Sequence, residues 1–256
     1  MLGNNKNSKI PDRDLQDSFK TYIKQKRFLE LAKLIEKSES VPPEYIVRMG
    51  YKGYIEENQG RKVKLFYIMK LKEITGILPD KNVIKEACEI SLGMETPEVL
   101  EALIKRVGIE KDTFHDLQAT IQRTYTDYVA EGKFVDISKL MELTGTRPED
   151  DIIHHGYEMY LEEGKFISFA GLKKRTGIKP NPDLIQSMYR QYYFYYLKSQ
   201  RTSKEQAAEW VDRIRKLKRI SKVELPEGIT IPEEDMRPEG SEETVTEQVT
   251  ETCTPN

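Results

Sequence analysis

The sequence predicts an all-α protein, an α-solenoid of six antiparallel helical hairpins, and three observations support this. Hydrophobic residues make up 38% and charged residues 33% of the 256 residues, a balance that favours solvent-covered helices over a thick α/β core. A helical pattern of apolar positions recurs at intervals of 32 or 37 residues. Glycines followed by an apolar residue and a proline separate these patterns, as is typical of tight turns between helices.

The first helix of each repeat, helix A, is marked by two columns of mainly aromatic residues. The anchors are Phe19, Tyr51, Cys88, Tyr125, Tyr157 and Tyr189, and the residues three further on are Tyr22, Tyr54, Ser91, Tyr128, Tyr160 and Tyr192. Apolar residues four positions before and four after each anchor complete one stripe of a helix, which predicts a buried face. The residue before the anchor is mostly small, as at Gly50 and Gly156, and we expect a neighbouring helix to approach closely there.

A second apolar stripe defines helix B in the first five repeats. Its members are Leu31 and Leu34, Ile68 and Leu71, Leu100 and Leu103, Ile137 and Leu140, and Phe169 and Leu172. Phe28, Leu65, Phe134 and Phe166 open this helix. The glycines of "TGILP" (75–79) and "TGIKP" (176–180) are expected to supply the left-handed residue after helix B, and Gly132 and Gly164 the one after helix A. Such hairpins bury their stripes only by stacking on neighbours.

The predicted organisation is a flexible N-terminal segment (1–13), a helical-repeat domain (14–223) and a disordered acidic tail (224–256). The repeat units lie near residues 14–45, 46–80, 81–110, 111–147, 148–180 and 181–223. Five extra residues in two of the spacings fall around residues 58–63 and before Phe114, in loops or helix extensions. The last helix begins with a Ser203-x-x-Gln206 capping box and is long and polar, as a terminal cap requires.

The repeat resembles the tetratricopeptide and pentatricopeptide helical-hairpin families. The "GIKPN" turn at 177–181 and the Gly-Lys-apolar turn between the helices are similar to the pentatricopeptide pattern in particular. Helix B is shorter here, and Gly156 precedes Tyr160 by four residues where the tetratricopeptide pattern has three. The resemblance therefore implies the hairpin architecture and a general binding role, and no base-reading positions are transferred.

Charge is distributed unevenly along the chain. Residues 224–256 hold ten acidic residues and one arginine, a net charge of −9, whereas residues 189–223 hold ten basic and three acidic residues, a net charge of +7. Residues 88–124 and 125–156 have net charges of −3 and −4. A groove that follows a nucleic-acid backbone along its length is expected to be basic throughout, so this pattern limits nucleic-acid contact to the C-terminal repeat.

The stretch "SMYRQYYFYYLKSQR" (187–201) contains the candidate contact surface. Repeat register predicts that Tyr189, Tyr192, Tyr193 and Tyr196 are core residues, which leaves Phe194 and Tyr195 for another use. An exposed aromatic ring between cations suits stacking on a base, on a partner side chain or on a neighbouring arginine, and the alternative is a solvated end-cap face. The candidate partner or nucleic-acid contacts are Arg190, Phe194, Tyr195, Lys198, Arg201, Arg213, Lys216 and Arg219.

Three other features allow alternatives. The acidic tail can fold back on the basic strip at 213–222, in an intramolecular contact that tunes access to it. Asp150 with His154 and Asp151 with His155 stand four apart and can share a divalent metal, although acids in a first helical turn also complement the helix dipole, and we expect neither metal nor cofactor. Cys88 and Ser91 interrupt the aromatic columns, which predicts either local repacking or a pocket.

We therefore expect a non-enzymatic scaffold that binds a protein or peptide partner on its curved surface, with the basic C-terminal cap as an auxiliary contact. The alternative is binding of RNA or single-stranded nucleic acid through the basic, aromatic C-terminal repeat. Two distant cysteines and the lack of a long apolar run favour a reducing, cytoplasmic location and no membrane partner.

Overall fold

The computed structural model describes residues 12–94 and 96–231, and this part of the chain consists of helices, the short segments that connect them and a non-helical segment at 222–231. It contains twelve α-helices, one 3-10 helix and no β-strand, so the all-α prediction is confirmed. The solenoid arrangement remains a prediction. Most of the predicted N-terminal segment and residues 232–256 of the predicted acidic tail lie outside the described residues.

The helices follow one another in six pairs. They are α1 (Asp12–Lys24) with α2 (Phe28–Ser38), α3 (Glu44–Glu56) with α4 (Arg61–Thr75), α5 (Lys81–Leu92) with α6 (Glu98–Val107), α7 (Gln118–Glu131) with α8 (Phe134–Thr144), α9 (Asp150–Glu162) with α10 (Phe166–Thr176), and α11 (Pro182–Ser199) with α12 (Lys204–Ser221). The extra residues of the two longer intervals extend α4 to 15 residues and form the 3-10 helix Lys111–Leu117.

The described residues form two compact units. The first contains residues 12–156, without 95, together with residues 171–178, and the second contains residues 157–170 and 179–231. In the first unit, α1 contacts α2 and α3, and α4 contacts α2, α3 and α6, so a helix packs on its own partner and on the equivalent helix of the next pair. In the second unit, α11 and α12 pack along one another.

The aromatic anchors form the core of both units. All six anchor residues are at most 1% exposed, from Phe19 to Tyr189. Where the anchor is tyrosine, its hydroxyl is also used: Tyr51 donates to the Ile77 carbonyl at 2.7 Å and Tyr125 to the Thr146 carbonyl at 2.7 Å. These carbonyls belong to the turn that follows helix B, so one side chain fixes the distance between helix A and that turn.

Two tyrosines of the second column link their helix A to the helix A before it. The Tyr54 hydroxyl donates to the Ile23 carbonyl at 2.5 Å, and in the second unit the Tyr192 hydroxyl donates to the Leu161 carbonyl. Tyr22 is half-buried, because the described residues contain no helix pair before it. A buried phenol needs a partner for its hydroxyl, and the main chain of the preceding pair supplies one.

The threonine and the glycine of the TGφ sequence end helix B together. Gly76, Gly145 and Gly177 all have φ near +70°, the left-handed conformation expected after a helix. The hydroxyl of the preceding threonine donates to the carbonyl four residues back and accepts the N–H two residues on, as Thr75 does with Leu71 and Ile77. Gly132 and Gly164, with φ of +73° and +71°, end helix A in the same way as predicted.

Two glycines of α3 provide a matched test of the close approach between helices. A Cβ at Gly50 would stand 2.4 Å from Ile23 Cγ2, a group held by a stiff β-branched side chain, whereas a Cβ at Gly53 would meet nothing within 4 Å. We expect Gly50→Ala to lower the free energy of unfolding by about 1–3 kcal/mol. Gly53→Ala should raise it by roughly 0.5–1 kcal/mol through helix propensity. Urea unfolding followed by circular dichroism measures both, and equal effects would contradict the close approach.

The buried tyrosines also predict an alkaline limit to stability. Burial raises the pKa of Tyr128 and of Tyr192 from 10.0 to about 12. Because the folded state holds these protons more tightly, their contribution is complete below pH 10 and is lost as the pH rises towards 12. We expect tyrosinate absorbance and the loss of helical signal to appear together in this range. Full tyrosine ionisation near pH 10 with helix content retained would rule this out.

Candidate functional site

The opposite faces of α11 are sharply different. Tyr189, Tyr192 and Tyr196 are buried as predicted, and the Tyr189 hydroxyl donates to the Val223 carbonyl at 2.9 Å. Tyr193 is only half-buried, which corrects its assignment to the core. The reason is its position at the edge of the buried face, where its ring centre lies 5.9 Å from that of Tyr196.

The exposed face of α11 is an apolar patch between cations. Phe194 is 62% exposed and Leu197 is 44% exposed, and with Arg190 they are spaced by four and three residues, which places them in one line along the helix. Arg201 is exposed in the turn that follows the helix. Lys198 lies beside this line and is exposed. None of these three cations forms an ion pair with the residues that the structure describes. We call Arg190, Phe194, Leu197, Lys198 and Arg201 the α11 stripe.

Two of the predicted contact residues, Tyr195 and Arg213, are half-buried and pack against Trp210 of α12. The Tyr195 ring stacks on Trp210 of α12 with ring centres 4.8 Å apart and planes at 24°. The Arg213 guanidinium lies 4.6 Å from the Trp210 ring centre, faces Gly164, and donates to Glu209 at 2.9 Å. The sequence prediction missed Trp210, although it is the single tryptophan and stands three residues before Arg213.

The remaining two predicted contacts lie further along α12. The Lys216 ammonium pairs with the Asp212 carboxylate at 2.7 Å, and Arg219 is exposed near the end of the helix. The structure therefore separates the eight predicted residues into the α11 stripe, the Trp210 stack and the C-terminal end of α12. The Ser203 hydroxyl accepts the Gln206 N–H at 3.3 Å, as expected of the cap that begins this helix.

A second exposed apolar set was not predicted. Next to the opening residue of helix B stand Leu29, Phe66 and Val135 in the first unit and Ile167 in the second, which are between 46% and 91% exposed, whereas the third repeat has Glu98 at this position. We call Leu29, Phe66 and Val135 the B-helix column. The sequence contained this pattern, since an apolar residue follows each opening residue of helix B. It was not singled out because the opening residue alone completes the predicted buried stripe. In α12 the second residue is Glu205, so the column ends before the terminal helix.

The interrupted repeat is repacked. Cys88 and Ser91 are at most 1% exposed, and the Ser91 hydroxyl turns back to the Cys88 carbonyl at 3.2 Å. The Ile55 carbonyl, which a tyrosine at position 91 would satisfy, accepts instead from the Lys64 ammonium. Burial raises the pKa of the Cys88 thiol to about 12, which makes it a poor nucleophile.

Two further features bear on ligand chemistry. A cleft of about 580 Å³ in the first unit is lined by Lys111, Asp112 and His115 on one side and by residues 144–147 on the other. Its Gln118 amide donates to the Phe114 carbonyl and to the Thr146 hydroxyl.

Across residues 12–94 and 96–231, no three His, Cys, Asp or Glu side chains are grouped so that they can hold a metal ion. Among the described helices, none is long and apolar enough to cross a bilayer.

Comparison with known proteins gives no relative: no protein-family model, curated protein or solved structure matches this chain. The resemblance to tetratricopeptide and pentatricopeptide hairpins therefore concerns architecture alone.

The packing of Arg213 predicts a role in stability that Lys216 lacks. Arg213→Ala removes a guanidinium held between Trp210 and Gly164, and we expect the free energy of unfolding to fall by about 1–2 kcal/mol. Lys216→Ala removes an exposed ion pair and should change it by less than about 0.5 kcal/mol. Urea unfolding by circular dichroism compares them, and equal losses would show that charge, rather than stacking, is responsible.

Proposed function

We propose that the protein is a non-enzymatic helical-repeat scaffold that binds a protein or peptide partner along the B-helix column, with the α11 stripe as a second contact. The observation that carries this proposal is the recurrence of an exposed apolar residue at one position in three of the first four repeats. Single exposed apolar residues are common and need no explanation, but a repeated one buries nothing within the chain and suits a partner surface.

The chemistry of the column favours protein over nucleic acid. Leu29 and Val135 are aliphatic, so they neither stack on bases nor bond to phosphates. Acidic residues follow directly at Glu30 and Asp136, and they repel a phosphate backbone. A partner that offers apolar side chains and neutral or basic groups fits this surface.

The α11 stripe supports a second candidate, binding of RNA or single-stranded nucleic acid. Phe194 is exposed between Arg190 and Lys198, an arrangement that suits stacking on one base with phosphates on either side. Of the other aromatic rings of the hairpin, Tyr189, Tyr192 and Tyr196 are buried and Tyr195 is stacked on Trp210, so few rings are left to stack on bases. For this reason protein binding is the primary proposal.

A cytoplasmic location is part of the proposal. Cys88 is a buried free thiol, and a reducing compartment suits a thiol that stays unpaired.

Matched aspartate substitutions test the column. Leu29 and Val135 are second residues of their helices, where an acidic side chain is favourable, so Leu29→Asp and Val135→Asp should fold normally. Tyr45→Asp is the control, because Tyr45 is the second residue of α3 and is 58% exposed, yet belongs to a helix A. Each column variant should weaken partner recovery roughly tenfold, since each apolar side chain contributes about 1.5–3 kcal/mol when buried.

The measurement is quantitative affinity purification on nuclease-treated and untreated extracts. Nuclease-resistant recovery that Tyr45→Asp retains and both column variants lose supports the proposal. Recovery that nuclease abolishes, or that all three variants reduce alike, contradicts it and favours the nucleic-acid candidate when it also falls steeply with salt.

A further inference from the structure

A small cavity lies at the C-terminal end of α12. No residue of the B-helix column or of the α11 stripe lines it. Its volume is about 240 Å³, and its lining residues are Ile214, Arg215, Lys218 and Arg219 of α12 with Leu225 and Ile231 of the segment that follows. Ile214 and Ile231 are buried and form an apolar floor, and the three cations stand around it.

The turn that leads from α12 to this cavity has the same backbone form as the turn after each helix B, but with different residues. Lys222 takes the left-handed conformation that glycine takes elsewhere, and the Ser221 hydroxyl accepts the Val223 N–H at 3.2 Å in place of the usual threonine. The Gln186 side chain donates to the Glu224 carbonyl at 3.0 Å, as Gln122 does to the Arg147 carbonyl two repeats earlier. The following residues then form no helix and line the cavity instead.

This segment shows which chemistry the end of α12 recognises. Leu225 and Ile231 place apolar side chains beside Ile214, and the Glu224 carboxylate pairs with the Lys218 ammonium at 3.1 Å. Apolar side chains next to a carboxylate are therefore already bound here, and the residues up to 231 leave the cavity open.

Two cations of the cavity, Arg215 and Arg219, have no acidic partner among the described residues. Arg215 Nε is buried without a hydrogen-bond partner, and no other buried side-chain nitrogen or oxygen of the described residues is left so. Arg219 is exposed and forms no ion pair within the described residues. An unsatisfied buried donor costs about 1–3 kcal/mol, and a carboxylate that reached Arg215 would remove this penalty.

The volume of the cavity indicates whether it suits a small-molecule cofactor or a side chain of a partner. Pockets for small molecules usually measure about 300–1,000 Å³, so a cavity of about 240 Å³ suits a single apolar side chain better. We propose that this cavity binds an acidic peptide segment of the protein partner, which inserts one apolar side chain against Ile214 while an adjacent carboxylate accepts from Arg215 and Arg219. This rests on the proposed function and names the chemistry of the partner.

A labelled synthetic peptide, GSEEDLEDSG, tests the site by fluorescence anisotropy with the full chain. Two control peptides separate the requirements: GSQQNLQNSG lacks the carboxylates, and GSEEDSEDSG lacks the apolar side chain. We expect only the first peptide to bind well. Arg215→Gln and Arg219→Gln should each weaken it roughly tenfold, the effect of one charged hydrogen bond. Lys204→Gln removes an equal charge from the opposite end of α12, outside the cavity, and should change binding less than about twofold.

The chain's own acidic residues are the competing occupant, so a second full-length protein carries Glu233→Gln, Glu234→Gln and Asp235→Asn. Binding by this protein alone also supports the site and identifies the chain's own segment as its competitor. Absence of binding to both proteins overturns the proposal, as does equal binding of the two acidic peptides. Leu29→Asp should bind the peptide normally, so a failure here is distinguishable from a failure of the column.

Discussion

The structure depends on tyrosine side chains that are packed in the core and bonded at their tips to main-chain carbonyls. Each ring is long enough to cross the core, and its hydroxyl then needs a partner at a defined distance. For Tyr51 and Tyr125 that partner lies in the turn after helix B, and for Tyr54 it lies at the end of the preceding helix A. Packing and hydrogen bonding therefore impose the same spacing, which limits how far the repeat length can vary.

Where the tyrosine is missing, the carbonyl is still satisfied by another route. The Lys64 ammonium donates to the Ile55 carbonyl in place of a tyrosine at position 91. Unpaired buried polar groups are costly, so a repeat can lose its aromatic residue only if a neighbour supplies a donor. The same reasoning gives weight to Arg215, whose Nε is buried and has no such neighbour.

The surfaces available for binding are formed by the residues that do not take part in this core. The B-helix column stands next to the opening residues Phe28, Leu65 and Phe134, which are buried or half-buried, so these three repeats also present an apolar side chain to solvent. At the C-terminal hairpin, the net charge of residues 189–223 is divided among different uses. Arg213 and Lys216 interact with side chains of their own helix, while Arg190, Lys198 and Arg201 remain available to a partner.

The sequence by itself determined the helices, their pairing along the chain and the buried faces, because periodicity, glycine turns and caps act over fewer than about ten residues. It also predicted the buried Tyr189 and the exposed Phe194. Only the tertiary structure decided how the cations are used: Arg213 was indistinguishable from Arg219 in the sequence, yet one stacks on Trp210 and faces Gly164, 49 residues earlier in the chain. The cavity beside Arg215 likewise arises from a segment that returns to α12 after the repeat ends. Local patterns fix which residues a helix presents, whereas the contacts that occupy or free them come from chain segments that only folding brings together.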